Sequence, residues 1–166
     1  MALVPGEIVK LFQERYQSSV TPQLYLAPGR VNLIGEHTDY NLGFVFPIAL
    51  EMACYVAIAP ASHGRLDVFS RDMQSEFSIP AAEIGSAQPL GIWSDYVLGV
   101  ARELAQAGVA LEGADLFIAS DVPAGSGLSS SASLEIASAF ALLGSRQMEP
   151  LEIALLGQRA ESKFVG

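Results

Sequence analysis

The sequence predicts an α+β fold in which helices pack on a mixed, largely antiparallel β-sheet. Short apolar runs separated by turn residues fill most of the first half of the chain and are typical of strands, whereas the second half shows helical spacing. The two kinds of element do not alternate regularly, as they would in a doubly wound parallel sheet. With 166 residues, 51% of them hydrophobic and 16% charged, the chain is expected to form one folded domain.

The first predicted element is an amphipathic helix over residues 6–18. Large apolar residues recur every four positions from Ile8 to Tyr16, so they form one stripe that can pack on a core. Pro22 prevents the helix from continuing, because a proline has no backbone N–H and clashes with the preceding turn. A short strand is predicted directly after it, over residues 24–26.

An almost wholly apolar stretch over residues 43–61 could form either a membrane-spanning helix or buried strands. It is about as long as a membrane-spanning helix requires. Pro47 and Glu51 interrupt it, however, and β-branched and aromatic residues are frequent within it. Two buried strands over residues 44–49 and 52–59, joined by a turn, are predicted instead.

The remaining elements follow from turn and helix signals. The polar residues 71–74 separate two strand-like runs and predict a hairpin. Helical spacing that stops at Gly108 predicts a helix with a C-terminal glycine cap, and Pro150 predicts the first turn of a final helix. The predicted ranges are strands at 65–70, 76–79 and 115–119, and helices at 93–107, from the Gly/Ser turn to about 143, and from 150 to about 163.

Charge and cysteine content exclude several classes of function. The net charge of −9 argues against a nucleic-acid partner, because binding to a duplex normally needs a basic surface. The single cysteine, Cys54, lies in an apolar run, so it cannot form an internal disulfide and is predicted to be buried. Neither a signal peptide nor a membrane segment is predicted, and a cytoplasmic location is expected.

A polar-rich loop is predicted over residues 27–41, between two strand candidates. Its functional groups are dense enough to suit a ligand with many hydroxyl groups, because such a ligand needs several convergent donors and acceptors. Any one of these side chains, taken alone, would more often be a solvated turn residue than a ligand. A transition-metal site is not favoured, since no further His or Cys cluster accompanies the loop. The candidates are Arg30, Asn32, Glu36, His37, Thr38 and Asp39.

A Gly- and Ser-rich turn over residues 122–135 follows a predicted strand and opens a helix. Gly125 and Gly127 allow the backbone to approach an anion closely, and the first N–H groups of a helix favour phosphate. The turn lacks the Lys of a Walker A loop, carries Ser130 where a dinucleotide fingerprint has Gly, and contains no hydrolase nucleophile elbow. A phosphate-binding loop is therefore predicted, with a flexible turn and a serine helix cap as the alternative.

Together these two segments resemble a known kinase family. Residues 29–40, Gly-Arg-Val-Asn-Leu-Ile-Gly-Glu-His-Thr-Asp-Tyr, are similar to the galactokinase signature, and the Gly/Ser turn is similar to the phosphate loop of the wider GHMP kinase superfamily. The resemblance extends along the whole chain. It implies that residues 1–166 have the α+β fold of a GHMP kinase N-terminal domain.

The resemblance also implies roles for individual residues. Glu36, His37 and Asp39 would bind galactose. Arg30 would stabilise charge on the base and on the transferring phosphoryl group. Ser131 and Glu161 would coordinate Mg²⁺, the implied cofactor, with ATP as co-substrate. Trp93 and Tyr96 would contact the adenine, although their spacing on a helix would suit core packing equally well. The implied ATP-binding residues are Trp93, Tyr96, Gly125, Ser126, Gly127, Leu128, Ser129, Ser130 and Ser131.

The activity implied is ATP-dependent phosphorylation of galactose at its anomeric hydroxyl. The family's catalytic aspartate belongs to a segment that would follow Gly166, so this chain alone is expected to be inactive. Apolar surface left uncovered is expected to cause self-association. Two alternatives remain open: a sugar- and ATP-binding sensor without turnover, and a kinase for a related sugar such as N-acetylgalactosamine or arabinose.

Overall fold

A computed structural model describes residues 3–35 and 43–166 of the chain. Five strands and four α-helices are found in this part, together with a short 3₁₀-helix and a π-helical turn. The elements are α1 (Pro5–Tyr16), β1 (Gln23–Ile34), β2 (Phe46–Pro60), β3 (Arg65–Ser70), β4 (Ser75–Pro80), the 3₁₀-helix (Ala81–Ser86), α2 (Asp95–Gln106), β5 (Ala114–Ser120), α3 (Ser130–Leu143), α4 (Pro150–Arg159) and the π-turn (Ala160–Val165).

The strands form one sheet in the order β1-β2-β5-β3-β4. Three of the four neighbouring pairs are antiparallel, and only β3 and β5 run parallel. The parallel pair is possible because β4, the 3₁₀-helix and α2 lie between these two strands in the chain and carry it back across the sheet. The predicted α+β class with a mixed, largely antiparallel sheet is therefore confirmed.

The central strand β5 is buried on both of its faces. Leu116 and Ile118 point into a large core that the sheet shares with α2, α3 and α4. Phe117 and Ala119 point the other way, into a smaller core that α1 covers. This alternation follows from the two-residue repeat of a strand. The sheet is thus the middle of three layers, and its strand ends set the positions of the functional loops.

Strand β2 corrects the prediction of two strands joined by a turn. It is a single strand of 15 residues that runs through both Pro47 and Glu51. These two residues are tolerated because they lie in the part of β2 that pairs with β1 alone, whereas pairing with β5 begins only at Cys54. A strand with one free edge can accept a proline, since one row of its N–H groups needs no partner.

Strand β1 corrects the prediction of a polar loop that begins at residue 27. The strand continues through the Pro28-Gly29 pair, and Arg30 and Asn32 lie on it rather than in a loop. The register between β1 and β2 shifts between Pro28 and Arg30, which absorbs the irregularity. Arg30 therefore projects from a paired strand, which holds it more firmly than a free loop would.

The other predicted elements are confirmed with small changes at their ends. Helix α2 stops before Gly108, whose φ of 87° lets the backbone turn away from the helix. The final helix ends earlier than predicted and widens into the π-turn that contains Glu161. Among the helices in the described ranges, none is long and apolar enough to span a membrane.

Candidate active site

A cleft of about 480 Å³ opens where the ends of β3 and β5 meet the start of α3. It brings together side chains that are far apart in the sequence, because parallel strands end at the same edge of a sheet. One wall comes from the start of α2, and another comes from the Gly/Ser turn. The residues that line it are Cys54, Ser70, Asp72, Met73, Trp93, Tyr96, Ile118, Ser120, Asp121, Val122, Pro123, Ala124, Gly125, Ser130, Ser131 and Leu134.

The Gly/Ser turn has a backbone shaped for an anion. Gly125, Gly127 and Ser129 have φ angles of 70°, 76° and 61°, whereas Ser126 and Leu128 between them keep negative φ. Such an alternation of left- and right-handed residues turns successive N–H groups toward one concave side, which is a common anion-binding arrangement. The positive φ of Ser129 is unusual for a residue with a Cβ. The turn is therefore a specific conformation and not a generic flexible loop.

The N-terminus of α3 is open to the cleft. Ser129 occupies the capping position but its side chain makes no capping hydrogen bond, and no acidic residue lies in the first helical turn. The first N–H groups of a helix have no partner within the helix and carry the positive end of its dipole. Because Ser130 and Ser131 also line the cleft, a phosphate group there would meet both N–H and hydroxyl donors.

The two motifs that the sequence singled out are in direct contact. The backbone N–H of Arg30 donates to the carbonyl oxygen of Leu128 at 3.0 Å, and the hydroxyl of Ser129 lies 3.5 Å from the carbonyl oxygen of Arg30. A Cβ on Gly29 would lie only 2.9 Å from the carbonyl oxygen of Leu128. The glycine is therefore what permits strand β1 to pack against the Gly/Ser turn.

Ser131, which lines the cleft, is in contact with Glu161. The hydroxyl of Ser131, on the first turn of α3, donates to Oε1 of Glu161 at 2.7 Å. Glu161 lies at the start of the π-turn, and single π-turns are often found at functional sites. The two residues to which the resemblance assigns Mg²⁺ are thus hydrogen-bonded to each other, and their role as metal ligands stays a prediction.

Glu135 lies one helical turn beyond Ser131 and was not predicted as a site residue. Its side chain is only 2% exposed, and burial, together with the charge of Glu161, raises its pKa to about 8. The available signal was a single carboxyl group between Leu134 and Ile136, the one ionisable side chain in a helix of apolar residues and serines. Buried carboxyl groups of this kind are rare unless they have a partner.

Trp93 and Tyr96 both line the cleft, opposite the Gly/Ser turn. Trp93 packs against the large core as well, so the two interpretations of this residue, cleft wall and core residue, both hold. The loop before α2 is held by Asp95, whose buried carboxylate accepts hydrogen bonds from the backbone N–H groups of residues 90–92. This network fixes the position of Trp93 relative to the strand ends.

Two aspartates on the floor of the cleft were missed by sequence reasoning. The carboxylate of Asp72 accepts the backbone N–H of Ser120 at 2.6 Å, and that of Asp121 accepts the backbone N–H of Ala53 at 2.7 Å. Both carboxylates therefore connect strand ends to one another. The two aspartates reach the same cleft because β3 lies beside β5. The sequence predicted only the hairpin of β3 and β4 and did not predict this pairing.

The catalytic candidate and the galactose-binding candidates fall in different parts of the chain. Arg30 is exposed on β1, next to the Gly/Ser turn. Glu36, His37 and Asp39 lie outside the described residues. Five of the ATP-binding candidates line the same cleft: Trp93, Tyr96, Gly125, Ser130 and Ser131. Ser126, Gly127, Leu128 and Ser129 belong to the same turn but do not line the cleft.

Cys54 lines the cleft but is expected to be unreactive. Its side chain is 1% exposed, and burial raises the pKa of the thiol to about 12. Only the thiolate reacts with disulfide reagents, so at pH 8 the native chain should react with Ellman's reagent far more slowly than the chain in guanidinium chloride. Equal rates in the two conditions would contradict the burial of this cysteine.

In its fold and cleft the chain resembles the N-terminal domain of GHMP kinases. Residues 10–60 match the family model of the galactokinase galactose-binding signature, and residues 95–166 match that of the GHMP kinases N terminal domain. A mevalonate kinase from Methanococcus jannaschii superposes on 87% of this chain and 47% of its own, with a TM-score of 0.78. At 23% identity this second comparison supports the fold alone.

Two further comparisons identify the family more narrowly. A galactokinase from Roseiflexus sp. is 46% identical over 97% of this chain and 41% of its own length, and one from Chloroflexus aurantiacus is 48% identical over 92% and 40%. The structure of Lactococcus lactis galactokinase complexed with galactose superposes with a TM-score of 0.91 at 31% identity, over 99% of this chain and 43% of its own. The chain is thus similar to galactokinases and spans about two fifths of the length of these relatives.

Proposed function

We propose that the chain provides the sugar-binding and nucleotide-binding parts of a kinase that transfers the γ-phosphoryl group of ATP to the anomeric hydroxyl of galactose. The observation that carries the proposal is the contact between its two motifs, in which the backbone N–H of Arg30 bonds to Leu128 in the Gly/Ser turn. This contact brings the end of a phosphate site next to the strand that leads into the galactose signature. Such kinases work where ATP is made and used, so a cytoplasmic location is part of the proposal.

The Gly/Ser turn would bind the phosphates of ATP. The alternating backbone conformations at Gly125, Gly127 and Ser129 support this role, as does the uncapped start of α3. The adenine would lie in the deeper part of the cleft, between the turn and the aromatic side chains of Trp93 and Tyr96. Aromatic walls suit a flat base, because they bury its faces without requiring hydrogen bonds.

The oxygen donors beside the turn fit Mg²⁺. Ser131 and Glu161 offer a hydroxyl and a carboxylate oxygen that already lie 2.7 Å apart, and hard cations prefer such oxygen ligands. When bound with ATP, Mg²⁺ would neutralise charge on the β- and γ-phosphates. Ser131 and Glu161 would then exchange their mutual hydrogen bond for contacts to the cation.

Arg30 and the signature residues would act on the sugar side. Phosphoryl transfer depends mainly on positioning and on stabilising negative charge. Arg30 projects from a strand that is paired with β2 and bonded to the turn, so its guanidinium can be held near the transferring group at little entropic cost. Glu36, His37 and Asp39 would accept hydrogen bonds from the galactose hydroxyls.

Calorimetric titration of the 166-residue chain tests the sugar half of the proposal. Galactose is expected to bind, and glucose, which differs at one carbon, is expected to bind more weakly. A matched titration with N-acetylgalactosamine separates the galactose kinase from a kinase for a related sugar. If galactose releases no heat while the chain is folded, the galactose assignment is wrong.

A turnover assay separates the kinase from a sensor. Release of ADP that depends on galactose, measured with the full-length protein, would support the kinase. Binding of both ligands with no ADP release would favour a sugar- and ATP-binding sensor instead. Substituting Arg30 with Ala should slow turnover by about 100-fold or more, because the stabilisation of transition-state charge would be lost.

A further inference from the structure

The cation site proposed at Ser131 and Glu161 has a buried neighbour without a described partner. Glu135 follows Ser131 by four residues on α3, so the two side chains lie on the same face of the helix, one turn apart. The side chain of Glu135 is 2% exposed, and its Oε1 has no hydrogen-bond partner among residues 3–35 and 43–166. A buried carboxyl oxygen without a hydrogen-bond partner costs free energy of folding, so a partner is expected for this group.

The surroundings of Glu135 indicate what the missing partner is. The one charged group found to act on it is Glu161, which has the same sign and therefore cannot serve as its ion pair. Glu161 in turn bonds to Ser131, which lies one helical turn before Glu135. Two acidic groups whose charges repel each other are stabilised by a positive charge between them, and no lysine or arginine in the described ranges is hydrogen-bonded to either side chain.

We propose that Glu135 is a third member of the divalent-cation site, and that the cation is the partner that its buried oxygen lacks. The inference rests on the proposed function, since Ser131 and Glu161 are the other two members. Glu135 would add a negative charge to a site that would otherwise offer one carboxylate. A second carboxylate would strengthen the binding of a hard cation.

A thermodynamic cycle on the affinity for ATP tests this proposal. The fluorescence of Trp93 reports nucleotide binding, and the dissociation constant is measured once in EDTA and once in excess Mg²⁺. The ratio of the two constants gives the contribution of the cation. Glu135→Gln keeps the size and shape of the side chain, and Glu152→Gln, at an exposed position on α4, removes the same charge away from the cleft.

The expected result is specific to the cation. Glu135→Gln should lower the Mg²⁺-dependent gain in affinity for ATP by about 10-fold or more, which is typical when a supporting ligand of a metal is lost. In EDTA, the affinity of this variant for ATP should stay within about a factor of two of the wild type. Its melting temperature in EDTA should stay within a few degrees of the wild type. Glu152→Gln should change none of these quantities.

Three outcomes would count against the proposal, each for a different reason. An unchanged Mg²⁺-dependent gain in Glu135→Gln would show that this residue has no part in the site. A loss of melting temperature in EDTA would show that the carboxyl group already has a partner in the cation-free chain. A wild type that binds ATP no better with Mg²⁺ would remove the site itself, and with it the metal part of the proposed function.

Discussion

Substituting Gly127 with Val should weaken ATP binding by about tenfold or more while the chain stays folded. Gly127 has a φ of 76°, and a residue with a Cβ pays about 1–2 kcal/mol to adopt this conformation. Valine is worse than most because it is β-branched. The turn should therefore relax, and the N–H groups that it directs at a phosphate would no longer converge.

Gly108 provides the matched control for this experiment. It has a φ of 87° and open space where a Cβ would lie, but it follows the end of α2 and is not part of the Gly/Ser turn. Gly108→Val should lower the melting temperature by an amount similar to that of Gly127→Val and leave the affinity for ATP unchanged. If both variants lost affinity equally, the effect would come from general destabilisation and not from the turn.

The second large effect is expected at Gly29, where the two motifs touch. An alanine Cβ would lie 2.9 Å from the carbonyl oxygen of Leu128 and 3.3 Å from both methyl groups of Val122. The φ of Gly29 is not positive, so the cost comes from crowding and not from backbone strain. Crowding of this kind costs about 1–3 kcal/mol of the free energy of unfolding.

Gly29→Ala should therefore lower both the stability of the chain and its affinity for ATP. The added Cβ would push the Gly/Ser turn away from β1, and the turn is the proposed phosphate site. Differential scanning calorimetry measures the first quantity and nucleotide titration the second. Gly157→Ala is the control: it lies within α4, where a Cβ would meet only Ile136 at an ordinary 3.5 Å, and alanine favours a helix. A Gly29→Ala chain with wild-type stability and affinity would refute the contact as a structural link.

Local signals in the sequence were sufficient for much of the fold. The hairpin of β3 and β4, the stop of α2 before Gly108 and the start of α4 at Pro150 all depend on a few adjacent residues, and all three are confirmed. The Gly/Ser turn was predicted for the same reason. Its glycines, its position after a strand and its place before a helix can be read from one short segment.

Features that depend on neighbouring strands could not be predicted in this way. A turn was predicted between residues 49 and 52, yet β2 continues through it, in a part of the strand that has a neighbouring strand on one side only. Asp72 and Asp121 reach the cleft through the parallel pairing of β3 with β5, which forms across a long stretch of chain. The sequence shows a glutamate at position 135, but its burial and its unpaired carboxyl oxygen depend on the packing around α3.

The central claim is that the cleft beside the Gly/Ser turn binds ATP, and the fluorescence of Trp93 tests it most directly. This residue is the single tryptophan of the chain and lines the cleft, so its emission reports changes in its surroundings there. ATP with Mg²⁺ should produce a saturable change in emission, and Gly127→Val should move the midpoint to higher concentration. If ATP bound, as measured by equilibrium dialysis, but left the emission of Trp93 unchanged, the nucleotide would bind elsewhere and the account would be wrong.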